Sequence, residues 1–181
     1  AQAKATQGAR VTLVEPSAML AQRNNALIGE EDRLPVEPES FDCILWPGGL
    51  ESVNDVPGAL LRCRLALRGD GLLLGCFPGD GSFPVLRSVL RTMDGATVAG
   101  RMVGRMHPQI DTRAMGDLMA RVGLTLTVAD SERLSLGYKS FDDLIADIRG
   151  AAWTNVLAGP VFPISRQGLA LARSAFAGMA D

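Results

Sequence analysis

Apolar positions fall into two kinds of run along this chain. Four are short and continuous: Arg10–Glu15, Ala26–Gly29, Phe41–Trp46 and Gly71–Phe77. Continuous rather than alternating apolarity predicts strands covered on both faces, as in a parallel sheet. Between and after them, apolar residues recur at helical spacing. Residues 55–68 place Val56, Leu60, Cys63 and Leu67 on one face, with Asn54 or Asp55 as N-cap and Pro57 in the first turn. Gly69-Asp70-Gly71 then turns the chain into the next strand. Residues 82–93 repeat the stripe with Leu86, Val89, Leu90 and Met93, and 112–122 with Met115, Leu118, Met119 and Val122. Ser140 and Asp143 make a capping-box-like start for a helix over 140–149, and a last helix is predicted over 165–179. The stretch LTLTVADSERLSLGY, 124–138, alternates instead, and its two halves flank Ala129-Asp130-Ser131. That pattern predicts an antiparallel hairpin. Strands alternating with helices predict an α/β fold with a doubly wound, mostly parallel sheet and the hairpin near its C-terminal end.

The first run has an unusual ending. VTLVE closes on a carboxylate, Glu15, and Pro16 and Ser17 then open a helix that carries Met19 and Leu20. In a doubly wound sheet, ligands bind beyond the carboxyl ends of the strands, and an acid there can accept hydrogen bonds from both hydroxyls of a ribose. Glu15 reads equally as a surface acid favoured by the dipole of the helix that follows.

Composition narrows the function classes. The net charge is -2 with 21% charged residues, which lacks the basic excess of a nucleic-acid binder. No apolar run approaches the roughly 20 residues of a membrane-spanning helix, and residues 1–9 lack the apolar stretch of a signal peptide. Cys43, Cys63 and Cys76 sit in apolar segments without C-x-x-C spacing, which predicts reduced thiols in a cytosol-like compartment. A single histidine, His107, excludes a histidine-rich metal site, and no metal is expected.

Residues 29–36, GEEDRLPV, followed by EPESFDCIL, resemble the signature of class I S-adenosylmethionine (SAM) methyltransferases. The run VNDVPGALLRCRLALRGDGLLLGCFPGDGSFPVLR is similar to one subgroup of that family, as are MHPQIDTRAMGDLMARVGL and FDDLIADIRGAAWTNVL. The subgroup holds the malonyl-acyl-carrier-protein methyltransferase of biotin synthesis and the mitochondrial complex I assembly proteins related to it. The resemblance covers Arg10 to about Leu157. It implies a Rossmann-like fold and SAM as cofactor. Glu15 would hold the ribose, Glu30 the adenine amino group, and Glu31 would offer its backbone N–H to the ring. Pro16, Met19, Leu34 and Trp46 would complete the cofactor site. Without the resemblance, 30–32 read as a solvated charge run, and Trp46, Tyr138 and Trp153 as packing residues.

The family carries a glycine-rich loop after its first strand, which the resemblance places upstream of residues 1–9. The chain is therefore expected to be one N-terminally incomplete domain over 1–181, without its first βα unit and with 78–111 as a lid insertion. The subgroup's His-Trp after the fourth strand is here Glu51 and Ser52. Glu51 is then the candidate general base, and Arg87, Arg105 and His107 are candidate acceptor-binding groups. The implied function is methyl transfer to a small-molecule or acyl-carrier-bound acceptor. The alternative is a non-catalytic or altered-chemistry assembly factor with a protein partner. No nucleic acid or membrane span is expected, and the location is the cytoplasm, or the mitochondrial matrix in a eukaryote.

Overall fold

The computed structural model describes residues 8–97, 103–154, 156–157 and 162–179. It divides into two compact units, residues 1–77 with 115–128 and residues 78–114 with 129–181.

The first unit is built from two βαβ modules. Strand β1 (Val14–Glu15) leads through helix α1 (Ala18–Asn24) to β2 (Leu27–Ile28), which pairs with it in parallel, Glu15 opposite Ile28. Ser17 caps α1 by accepting from the Leu20 N–H at 3.4 Å, and Asn25, left-handed at φ 52°, ends it. Strand β3 (Phe41–Pro47) leads through helix α2 (Val56–Ala66) to β4 (Leu67–Cys76), again in parallel. Asp55 is the N-cap, accepting from the Gly58 N–H at 2.9 Å. The face of α2 made by Val56, Ala59, Leu60, Cys63 and Ala66 is buried, as its spacing predicts.

The α/β class and its parallel pairing agree with the sequence reading, but three expectations need correction. The two modules form separate two-stranded sheets, β1 with β2 and β3 with β4, rather than one continuous sheet. The strands are also not covered on both faces. Leu45, Leu72 and Leu74 are 66%, 53% and 51% exposed, while Ile44, Trp46 and Leu73 on the alternate side are half-buried. Helix α2 packs against this pair, and period-2 alternation reappears in its burial. Finally, neither half of 124–138 forms a strand, and Leu126, Val128, Leu134 and Leu136 stand exposed. A two-stranded hairpin is marginal in water without further strands or a helix to pack on, and alternation alone does not supply them.

The second unit is helical: α3 (Pro84–Thr97), α5 (Phe141–Gly150) and α6 (Arg166–Ala177). Its core gathers Leu86, Val89 and Met93 of α3, Phe141, Leu144 and Ile148 of α5, and Ala172 and Phe176 of α6. Burying aliphatic side chains of this size contributes about 1.5–3 kcal/mol each. Phe141 and Phe176 pack with ring centroids 6.0 Å apart. Ser140 opens α5 as the capping pattern predicts, its Oγ accepting from the Asp143 N–H at 3.1 Å. Residues 78–111 thus give this unit a core helix, α3. Helix α4 (Thr112–Arg121) follows, with Met115 buried.

Candidate functional site

Three strand ends of the first unit bring the acidic residues together. At the end of β1, Glu15 is half-buried and its Oε1 accepts from the Ser17 N–H at 3.0 Å. That bond fixes the carboxylate against the start of α1, and Oε2 makes no hydrogen bond among the described residues. Beyond β2 the chain turns sharply, the Arg33 N–H donating to the Glu30 carbonyl at 2.9 Å. Glu30 is exposed and Glu31 half-buried on this turn. Burial pushes the Glu31 carboxyl above the ordinary carboxylate range. The negative charges of Asp32, Glu15 and Glu30 push the same way, against a lowering bond from its own backbone N–H.

Beyond β3, Gly48 and Gly49 take left-handed angles, φ 100° and 99°. A Cβ on Gly49 would lie 3.0 Å from Glu31 Oε1 and 3.4 Å from Trp46 Nε1. Glu31 and Trp46 therefore both lie against this glycine, and a side chain there is strained by the left-handed angle and would press on the tip of Glu31. The Gly49 N–H donates to both carboxylate oxygens of Glu51 at 3.0 Å, and Ser52 Oγ donates to the Gly49 carbonyl at 2.8 Å. Glu51 thus caps its own short 3-10 helix, Leu50–Ser52, reaching back to the residue before it.

The remaining cofactor candidates are spread around these groups. Leu34 and Trp46 are half-buried, Pro16 is exposed, and Met19 is 74% exposed on α1. The acceptor-side candidates lie in the second unit, each with protein partners. Arg105 Nε donates to both Asp94 oxygens at 2.9 Å, one terminal nitrogen donates to Asp94 Oδ1 at 2.7 Å, and the other to the Phe162 carbonyl at 2.8 Å. Arg87 donates to the Ser82 carbonyl and to Gln109 Oε1. His107 Nδ1 lies 3.0 Å from the Pro108 carbonyl.

Sequence reading missed the Gly49–Glu51 clamp and the Asp94 partner of Arg105. Asp94 had a signal: it falls four residues after Leu90, on the flank of the apolar stripe of α3, where an acid needs a partner. The clamp had a weaker one, paired glycines two residues ahead of an acid.

Half-buried carboxylates lie at and beyond the C-terminal ends of parallel strands, with a glycine turn beside them, which is where open α/β sheets in general bind ligands. Residues 1–75 match the family described as "Methyltransferase domain". The cofactor of that class is SAM. Among curated proteins, the chain is similar to "Arginine-hydroxylase NDUFAF5, mitochondrial" of Danio rerio, 23% identical over 71% of this chain and 40% of that protein. It is similar to "Malonyl-[acyl-carrier protein] O-methyltransferase 1" of Coxiella burnetii, 29% identical over 71% of this chain and 43% of that protein. It also resembles the malonyl-[acyl-carrier protein] O-methyltransferase of Gallionella capsiferriformans, 23% identical over 76% of this chain and 45% of that protein. The chain thus spans less than half the length of these relatives. Among the described residues, no helix is long and apolar enough to cross a membrane.

The residues present fit the adenosyl end of SAM. Glu15 offers a fixed, half-buried carboxylate with one oxygen unengaged, the chemistry a pair of ribose hydroxyls needs. The surrounding negative charge favours a cationic ligand.

Proposed function

We propose that this protein is a SAM-dependent methyltransferase acting on a small-molecule or carrier-bound acyl acceptor. The observation that carries the reading is the convergence of Glu15, Glu31 and the Gly48–Gly49 turn at the strand ends of a stretch that matches the methyltransferase-domain family. Bound there, SAM supplies an activated methyl group. Glu15 accepts from the ribose hydroxyls, Glu30 accepts from the adenine amino group, and the Glu31 backbone N–H faces the ring. Pro16, Met19, Leu34 and Trp46 contribute apolar surface around the base. The enzyme's task is alignment of donor and acceptor, which supplies several kcal/mol without a covalent intermediate. The carrier-bound acceptor is supported by the two similar malonyl-[acyl-carrier protein] methyltransferases, and a carboxylate acceptor needs no general base. The reading places the protein in the cytoplasm, or in the mitochondrial matrix of a eukaryote.

Transfer of labelled methyl from SAM to a malonyl-carrier protein tests this, with methylated product the expected result. SAM binding without transfer to any acyl, amine or hydroxyl acceptor would favour the second reading, an altered-chemistry assembly factor. That reading is supported by similarity to a relative named as an arginine-hydroxylase. Absence of SAM binding would end the first.

A further inference from the structure

Resting on the donor-site reading above, we infer that Glu51 is a positioning residue of that site, holding the Gly48–Gly49 turn so that Glu31 and Trp46 keep their places. Sequence position makes Glu51 the candidate general base, but its carboxylate is turned back onto the backbone of its own turn. Both Glu51 oxygens sit 3.0 Å from the Gly49 N–H. The same turn is held from its other end by Ser52, whose Oγ and N–H both approach the Gly49 carbonyl, at 2.8 and 3.0 Å. Gly49 is thus fixed at its amide and its carbonyl by two residues of one short helix.

What the clamp fixes matters because of what lies against it. The space a Cβ would take on Gly49 is bounded by Glu31 Oε1 and Trp46 Nε1. The Glu31 turn and the end of β3 come from separate two-stranded sheets with no ladder joining them. The Gly49 contact therefore sets their spacing where backbone pairing does not. Glu51 acts on the ligand through this spacing and not by touching it.

The role depends on an acceptor oxygen, not on a charge or a titrating group, and glutamine preserves that oxygen. The test compares the unaltered protein with Glu51→Gln, Glu51→Ala and Gly49→Ala by two readouts, SAM affinity by calorimetry and hydrogen exchange at the Gly49 amide. Glu51→Ala is expected to weaken SAM about tenfold and to speed exchange at Gly49 at least tenfold. Glu51→Gln should leave both within about twofold, and Gly49→Ala should weaken SAM at least as much as Glu51→Ala. Equal impairment of Glu51→Gln and Glu51→Ala would overturn the inference in favour of a charge or proton-transfer role. Unchanged exchange at Gly49 in Glu51→Ala would overturn it by showing no clamp. Failure of the unaltered protein to bind SAM would instead remove the donor site itself, with Gly49 exchange still slowed by Glu51. Glu15→Gln separates the two further, since it should weaken SAM while leaving Gly49 exchange unchanged.

Discussion

Removing the Asp94 carboxylate should destabilise the helical unit severely. Asp94 and Arg105 keep only 7% and 13% of their side-chain surface, and they share three N–H···O bonds of 2.7–2.9 Å. Asp94→Ala would leave the guanidinium buried with the Phe162 carbonyl as its remaining hydrogen-bond partner among the described residues. Breaking a buried pair from one side costs about 3–5 kcal/mol, against a typical total stability of about 5–15 kcal/mol. Urea unfolding followed by circular dichroism reads this directly. With a denaturant slope of about 1–3 kcal/mol per molar, the midpoint should fall by more than about 1 M. The double substitution Asp94→Leu with Arg105→Met should recover most of the loss, because a buried pair replaced by apolar groups of similar volume is near neutral. A loss below about 1 kcal/mol in Asp94→Ala would refute the reasoning, since that is the worth of a solvated pair.

Burial raises the Cys63 thiol from 9.0 to about 11. A raised folded-state value means stability that is complete below pH 9 and lost as pH climbs to about 11. The loss is about 2–3 kcal/mol, absent in Cys63→Ala, and is read by unfolding across that window. Glu31 is also raised, so its ionisation costs the folded state as pH rises through the shifted value. Glu31→Gln should therefore melt higher than the unaltered protein at pH 7 and alike at pH 4, and a lower melting temperature at pH 7 would contradict the assigned repulsion.

The sequence was legible where one local rule decided the outcome. The stripe of Leu86, Val89 and Met93 buries as spaced, Ser140 caps α5, and Asp55 caps α2. It was less legible where burial depended on distant partners. Continuous apolarity in β3 and β4 predicts two covered faces, yet Leu45 and Leu74 are exposed, because periodicity reports what a strand can bury and not what is there to bury it. The hairpin over 124–138 fails for the same reason. Arg105 shows the corresponding limit at the site, where spacing marks a cation but gives no sign that Asp94 holds it. For Glu51, position after a strand suggests chemistry, while its bonds to the Gly49 N–H depend on turn geometry that residue types alone do not specify.

The central claim is that an adenosyl donor binds at these strand ends through Glu15. Calorimetric titration with SAM, and with its demethylated product, is the most direct measurement. Saturable binding is predicted, weakened about ten- to a hundredfold by Glu15→Gln through loss of charged hydrogen bonds to the ribose. Equal affinity in the two proteins would contradict the ribose assignment, and no binding by either ligand would contradict the donor site altogether.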